Sequence, residues 1–301
     1  MVSKIKAQNF GLPLPWERGG VRFLLAALIT VLCLSSCEEI GPAIDLTEDT
    51  TADTTYVATQ VETPQVKNVL LEEFTGVRCV NCPQGHALLD NLESQHGARF
   101  IAVSNHSEFL AEPYDGDQDL RTDDAQAFED LLGPISAKPS GAVDRKLFSG
   151  ETSLVYYTQK WSNYVNQQMT LATPVNIHLE TAFNNNRDLE VIVTLHYTSE
   201  ETEENKLTVI LLEDNIITLQ LGQGSVIDSA YVQNRVLRKS LTSTNGLALT
   251  TTKEAGRVVV KSFVVENLSS IWNADELRVV ALVHRSGSAM DVLQAVQKDV
   301  D

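Results

Sequence analysis

The sequence predicts an α/β domain followed by an all-β antiparallel sandwich domain. In the first half of the 301-residue chain, apolar runs of strand length alternate with amphipathic segments, which is typical of an α/β fold. In the second half, β-branched segments follow one another with turn residues between them, which favours an antiparallel sandwich. We place the α/β domain at residues 67–172 and the sandwich at residues 173–301.

The residues before the first domain have the composition of an export signal. Arg22 precedes about a dozen apolar residues, too few to span a membrane, and small residues follow them. The run ends in Leu-Ser-Ser-Cys at residues 34–37, which resembles a bacterial lipobox. We therefore expect residues 1–36 to be removed and Cys37 to carry a lipid anchor. The stretch before Val21 is long for a signal, so we expect translation to begin near Val21.

Residues 37–66 predict an acidic tether between the anchor and the folded part. They are rich in Thr, Asp and Glu and poor in aromatic residues, so they are too polar to form a core. The whole chain has a formal net charge of −17, which argues against nucleic acid as a partner. We expect contact with the membrane through the lipid anchor only.

The α/β domain begins with a strand, a helix and a second strand. Residues 67–76 and 98–107 predict buried strands, and residues 82–97 between them predict a helix that ends at Gly97. This spacing is typical of a right-handed βαβ unit with parallel strands. Further along, we predict a helix at 121–133, a strand at 140–148 and a long helix at 152–169. The predicted sandwich strands are 175–183, 189–197, 206–214, 256–267, 276–284 and 291–297.

The presumptive folded region holds two cysteines, Cys79 and Cys82, with two residues between them. A metal site would need a second cysteine pair or suitably spaced histidines, and the positions of the histidines match no zinc template. A purely structural disulfide would close almost no loop and would stabilise the fold little. A CxxC between a strand and a helix favours a redox couple, with no metal and no cofactor.

The position of the pair favours a reactive thiolate at Cys79. The amides at the start of a helix and the neighbouring Arg78 both stabilise an anion there. Cys79 is then the attacking sulfur, and Cys82 resolves the mixed disulfide. The expected partners are thiols or disulfides of other envelope proteins, with Arg78 beside the bound substrate.

A CxxC in a βαβ unit predicts a thioredoxin-like domain, in which two further residues have roles. Glu73 lies where thioredoxins keep a buried acid that moves the proton of the resolving thiol. Strand alternation favours Glu73 over Glu72 as the inward residue, and an exposed strand-end charge is the alternative. Pro139 lies where the fold places a cis-proline that helps to bind substrate, and a trans loop proline is the alternative.

Three segments, EEFTGVRCVNCPQG, KPSGAVDR and YVQNRVLRK, together resemble the twenty-eight-kilodalton outer-membrane protein family, lipid-anchored proteins of the Bacteroides-type envelope. The resemblance runs from about Lys67 to the C-terminus. It implies a thioredoxin-like domain followed by a β-sandwich in an outer-membrane lipoprotein. Thioredoxins carry Trp before the first cysteine and Gly-Pro inside the pair, whereas Arg78, Val80 and Asn81 stand here, so the direction of electron flow is not predicted.

Three functions therefore remain open, because a fold does not determine an activity. The first is thiol–disulfide exchange on envelope proteins. The alternative is a non-catalytic surface lipoprotein that binds a partner or ligand through the sandwich, and a third is a structural module of a nutrient-uptake or adhesion complex.

Other segments carry weaker signals. Residues 107–135 predict a polar cap that shapes access to the cysteines, since their acidic residues do not match an EF-hand loop. Tyr231, Arg235 and Arg238 form a small basic group that favours a surface strand or turn with salt bridges. The alternatives are a bridge between domains and a site for an anionic ligand. We expect His178, His196 and His284, which lie in predicted strands, to be ordinary residues at the edge of the core.

Overall fold

A computed structural model describes residues 54–249, 252–287 and 289–301, and this part of the chain is mostly β-sheet with few helices. The strands are β1 (Thr54–Val57), β2 (Val69–Phe74), β3 (Phe100–Asn105), β4 (Ser140–Val143), β5 (Val155–Tyr157), β6 (Val175–Phe183), β7 (Leu189–Tyr197), β8 (Asn205–Glu213), β9 (Ile216–Leu221), β10 (Ile227–Gln233), β11 (Val236–Ser240), β12 (Leu247–Ala248), β13 (Arg257–Val265), β14 (Leu277–Arg285) and β15 (Val292–Asp299). The α-helices are α1 (Cys82–His96), α2 (Asp123–Leu132) and α3 (Thr158–Gln168).

One large sheet contains strands from both halves of the chain, in the order β15-β14-β8-β11-β3-β2-β4-β5, with β12 on β8. Strands β2 and β3 are parallel, as the βαβ prediction requires, and β4 is antiparallel to β2. Strand β11 joins the halves, because it is parallel to β3 and antiparallel to β8. The N–H of Ser104 donates to the carbonyl of Arg235 at this junction (2.8 Å). The sheet thus crosses the position that the sequence predicts as a domain boundary.

A second sheet, in the order β1-β13-β7-β6, is antiparallel throughout. Alternate residues of β7 are buried, which is typical of a strand with one face in a core. Val193 and Val259 of this sheet belong to the same apolar cluster as Val209 and Val279 of the large sheet. The β-rich, antiparallel architecture predicted for the second half is confirmed.

The helices lie against the large sheet, and their ends follow local sequence signals. Pro83 lies in the first turn of α1, where an amide would have no partner, and Gly97 with φ of 58° follows its last residue. The side chain of Thr122 caps α2 by accepting from the N–H of Ala125 (3.0 Å). Helices α1 and α3 contribute to one core cluster and α2 to another.

Two segments differ from the sequence prediction. Residues 152–169 are not one helix, because Val155–Tyr157 pair with β4 before α3 begins. The carbonyl of Tyr156 accepts a hydrogen bond from the Trp161 indole (2.9 Å), which fixes this strand-to-helix corner. Residues 54–66, predicted to belong to a tether, also have defined structure, since β1 pairs with β13.

Strands β9 and β10 form an antiparallel hairpin that belongs to neither larger sheet. We call residues 216–233 the cover hairpin. No local sequence signal predicts the cover hairpin, which positions residues of the candidate site.

Candidate functional site

Cys79 and Cys82 form a disulfide at the start of α1. Cys79 lies in the preceding turn, and Cys82 is the first helical residue, with its N–H donating to the carbonyl of Cys79 (3.2 Å). Cys79 is 2% exposed and Cys82 is 0% exposed. The sequence predicts a reachable pair, whereas the structure brings the two sulfurs together and buries them.

The cover hairpin packs directly on the cysteine turn. The N–H of Leu221 donates to the carbonyl of Val77 (2.8 Å), and the Gln220 amide donates to the carbonyl of Cys79 (3.2 Å). Gln220 is itself wholly buried, and its side-chain oxygen accepts from the Gln233 amide (2.9 Å). The hairpin therefore holds the turn through buried hydrogen bonds, which are costly to break without replacement.

The segment predicted as a polar cap also contacts the cysteine turn. The carbonyl of Leu110 accepts from the N–H of Arg78 (2.9 Å), and the carboxylate of Asp117 accepts from the N–H of Leu219 in the cover hairpin (2.6 Å). The disulfide is thus bordered by two segments that a minimal βαβ unit does not contain.

Arg78, predicted to lie beside a substrate, is bound to this segment. Its guanidinium donates to the carbonyls of Glu112 (2.8 Å) and Pro113 (2.7 Å) and lies 4.3 Å from the centre of the Tyr114 ring. The charge is therefore already engaged by local oxygens and an aromatic face.

Glu73 lies near the end of β2 and is wholly buried. Its Oε2 accepts from the Ser104 hydroxyl (3.1 Å), and its Oε1 has no hydrogen-bond partner among the described residues. Burial raises the pKa of Glu73 to about 8, although Arg235 and Ser104 act in the opposite direction. The carboxyl is consequently protonated at neutral pH and can donate a proton. Glu72 is also buried, and Arg145 binds its carboxylate.

His86 connects the floor of the site to the cover hairpin. Its Nε2 lies 2.8 Å from the Thr75 hydroxyl, and its Nδ1 lies 2.8 Å from the Tyr231 hydroxyl. Burial, together with nearby Arg235, lowers the pKa of His86 to about 3, so the ring is neutral. Its 3.6 Å approach to Glu73 is therefore not an ion pair. This role of His86 was not predicted from the sequence, although His86 lies one helical turn after Cys82 on the same face.

The link between the cover hairpin and β11 also binds the exposed side of α1. Arg235, in this link, forms ion pairs with Asp90 (2.8 Å) and Glu93 (2.8 Å) of the helix. This arrangement corresponds to the bridging alternative for the basic group around Tyr231. Burial raises the pKa of the Tyr231 hydroxyl to about 12, so it stays protonated and available as a donor.

Pro139, predicted to help bind substrate, packs against Gly85 of α1, and the Lys138–Pro139 peptide bond is cis. A Cβ added at Gly85 would lie 2.8 Å from Oε1 of Glu73 and 2.9 Å from Cβ of Pro139. Because Gly85 has no side chain, α1 can approach both Glu73 and Pro139. This contact lies about one helical turn after Cys82.

We expect Gly85→Ala to lower the free energy of unfolding by about 1–3 kcal/mol, the usual cost of overpacking. This loss should appear even though alanine favours a helix by about 1 kcal/mol over glycine. Urea unfolding measures it, with Ser94→Ala on the exposed face of α1 as the control. A Gly85→Ala protein as stable as the control variant would contradict the close packing.

A family model described as outer membrane protein Omp28 matches residues 125–301, which is more than half of the chain. The chain belongs to the Omp28 family. This membership confirms the predicted outer-membrane location of the protein. The Omp28 match includes Pro139 and all of the second half, but it begins after Glu73, Cys79 and Cys82.

Solved structures resemble this Omp28 family member to different extents. HBP35 of Porphyromonas gingivalis has 19% identity and a TM-score of 0.60, covering 80% of this chain and 77% of that chain. An Agrobacterium tumefaciens protein has 9% identity and a TM-score of 0.50, covering 78% of this chain and 95% of that one. Both likenesses concern the fold alone. A domain of the outer membrane lipoprotein Omp28 from P. gingivalis has 20% identity and a TM-score of 0.31, covering 43% of this chain and 89% of that domain.

Comparison with curated proteins finds no match. Within the described residues, no helix combines the length and apolarity needed to cross a membrane. Cys37, the predicted lipidation site of this Omp28 family member, and the predicted signal at residues 1–36 lie outside the described residues.

Proposed function

We propose that this Omp28 family member is a non-catalytic binding protein of the outer membrane, in which the cysteine-containing half is a scaffold. The observation that carries the proposal is the burial of both sulfurs beneath the cover hairpin. Thiol–disulfide exchange requires a third sulfur to reach the disulfide. A substrate protein has no path to Cys79 while Leu221, Gln220 and Tyr231 hold the hairpin in place.

The scaffold is a thioredoxin-like arrangement in this proposal. Parallel β2 and β3 joined by α1, antiparallel β4 and the CxxC at the start of the helix support it. Strand β11 extends this arrangement and the cover hairpin lies over the cysteine turn, so the cysteine pair is not open to solvent. This follows the general rule that a fold does not fix a function.

The binding role is placed in the β-rich second half. The family match spans all of this half and none of the cysteine turn. A role held in common by the family is therefore better sought on the sandwich than at Cys79 and Cys82.

The test is a protein in which both cysteines are replaced, Cys79→Ser with Cys82→Ser. We expect it to restore a deletion strain as well as the wild type does, because no exchange reaction is lost. Wild-type protein should not catalyse insulin reduction, and dithiothreitol should reduce its disulfide only slowly, as the cover opens. Fast insulin reduction would contradict the proposal, and so would failed rescue by a double variant with wild-type circular dichroism and abundance.

A second candidate function, thiol–disulfide exchange after the cover opens, is favoured by one specific observation. Glu73 is protonated at neutral pH, and its unpaired Oε1 lies against Gly85, one turn from Cys82. A substrate thiolate would attack Sγ of Cys79 and break the disulfide, and Glu73 would protonate the departing Cys82 thiolate. A second substrate thiolate would then release Cys79, which leaves the substrate oxidised and the pair reduced. The reverse sequence, with dithiothreitol keeping the pair reduced, reduces a substrate disulfide such as that of insulin.

The same reduction assay separates the two candidates. Gln220→Ala removes the hydrogen bonds that its amide donates to the carbonyls of Gly76 and Cys79 in the cysteine turn, so it should speed reduction by dithiothreitol. If Gln220→Ala also gains insulin reductase activity that Glu73→Gln removes, the second candidate replaces the first. If reduction accelerates without any such activity, the scaffold role stands.

A further inference from the structure

Two histidines and a glutamate meet on the second sheet. Oε2 of Glu62 lies 3.0 Å from Nε2 of His178, and Oε1 of Glu62 lies 3.2 Å from Nδ1 of His196. The centres of the two imidazole rings are 5.2 Å apart. One nitrogen or oxygen atom from each residue lies within 4.8 Å of the others. This arrangement has no part in the proposed role of the disulfide.

The strand register brings the histidines together. His178 of β6 is opposite Thr194 of β7, and His196 of β7 is opposite Asn176 of β6. The two histidines are therefore diagonal neighbours on one face of an antiparallel pair, within reach of a shared ligand. The sequence gives no such signal, because the two positions lie on different strands.

The glutamate is held in place by a buried amide. Nδ2 of Asn176 donates to Oε2 of Glu62 (2.9 Å), and Oδ1 of Asn176 accepts from the N–H of Gln65 (2.7 Å). Asn176 is 1% exposed, so this support is rigid. An outer partner that orients a carboxylate is a usual feature of metal sites in proteins.

We propose that Glu62, His178 and His196 bind a divalent transition-metal ion, and that Zn²⁺ is the preferred one. Two imidazoles and one carboxylate form a ligand set that zinc accepts, with a fourth position left for water or another ligand. Calcium and magnesium prefer oxygen ligands alone. The two histidines contact different oxygens of Glu62, at 3.0 and 3.2 Å. One donor from each residue lies within 4.8 Å of the others, so small side-chain adjustments would bring three donors to the spacing of about 3.3 Å in a tetrahedral zinc site.

An ion can reach this site from solvent. The side chains of Glu62, His178 and His196 are 34%, 46% and 21% exposed. Partial exposure provides an entry path, and the hydrogen bonds of Asn176 limit the reorganisation that binding requires. The three side chains already contact one another, so the ion would replace two carboxylate–imidazole contacts.

The test uses the full mature protein in detergent, with its disulfide intact and without a histidine tag. Zn²⁺ binding is measured by competition with a chromophoric chelator, and Co²⁺ is added separately as a spectroscopic probe of coordination. We expect one tight Zn²⁺ per chain and the visible absorption of four-coordinate Co²⁺. His178→Ala and His196→Ala should each weaken Zn²⁺ binding about 100-fold or more, since loss of an outer partner alone weakens it about 10–100-fold. His96→Ala, at the end of α1, is the matched control and should bind as the wild type does.

Glu62→Gln keeps the shape of the side chain, so it tests the site even if the histidine variants do not fold. With a wild-type urea unfolding midpoint, it should still bind Zn²⁺ at least about tenfold more weakly, because an amide is a poorer ligand than a carboxylate. Absence of saturable Zn²⁺ binding by the wild type would overturn the proposal. Undiminished binding by folded His178→Ala, His196→Ala and Glu62→Gln proteins would overturn it as well.

Discussion

Arg145→Met is expected to lower the free energy of unfolding by about 3–5 kcal/mol. The guanidinium of Arg145 donates two hydrogen bonds to the carboxylate of Glu72, at 2.8 and 2.7 Å, and both side chains are buried. Without the arginine, the carboxylate is left inside the sheet with neither water nor a positive partner. A buried charge in that state is among the most destabilising features that a single substitution creates. Urea unfolding of the oxidised protein measures the loss.

Two further variants show whether burial is the cause. Arg121→Met removes surface ion pairs with Asp119 and Glu108 and should cost about 1 kcal/mol or less. Adding Glu72→Gln to Arg145→Met removes the stranded charge and should recover a large part of the loss. If Arg145→Met and Arg121→Met lower the free energy of unfolding by similarly small amounts, water reaches the Glu72–Arg145 pair and burial does not strengthen it.

Glu73 should make the protein less stable as the pH rises from about 5 to about 8. The unfolded chain loses this proton near its ordinary pKa of 4.5, whereas burial keeps the folded carboxyl protonated to about 8. Between these values the folded state binds more protons, so the free energy of unfolding falls with increasing pH. The contribution is fully present below pH 4.5 and is lost by about pH 8. Its size is several kcal/mol, at most about 5, from the separation of the two pKa values.

The measurement compares wild type with Glu73→Gln by urea unfolding at four pH values from 5 to 8. The variant should gain stability relative to wild type as the pH rises. Buried histidines such as His86, whose pKa is lowered to about 3, act in the opposite direction, because the unfolded state binds their protons. Their effect is present in both proteins and cancels in the difference. Parallel stability curves would mean that Glu73 ionises in the folded protein as it does in water.

Local signals in the sequence locate several elements closely. Pro83 and Gly97 bracket a helix predicted at residues 82–97, and α1 runs from Cys82 to His96. The alternating pattern of residues 189–197 predicts a half-buried strand, and β7 has these bounds. In both cases the signal lies within the segment itself, either in backbone chemistry or in the period of its apolar residues.

The cover over the disulfide could not be predicted in this way. Ile217 and Val232 of the hairpin are exposed, so its apolar residues do not mark a core face. The contacts that close the site join Gln220 to Cys79 and Tyr231 to His86, which are 141 and 145 positions apart. No spacing rule connects such residues.

Buried charges were missed for a related reason. Neighbouring side chains of a strand point to opposite faces of the sheet. The sequence therefore predicts that only one of Glu72 and Glu73 points inward. Both faces of β2 are covered in the structure, so both carboxyls are buried. Whether an acid near a strand end is solvated depends on what packs over each face. Here the covering residues include β15 and Arg235, which come from the distant half of the chain.

The order of the chain also constrains biogenesis. Residues 216–233 enter the envelope well after Cys79 and Cys82, since export and folding proceed from the N-terminus. Once this late segment docks, a soluble oxidant or reductant cannot touch the sulfurs unless the segment detaches. The disulfide therefore forms most readily before this segment docks, and the docked segment then slows any later change in the redox state of the pair.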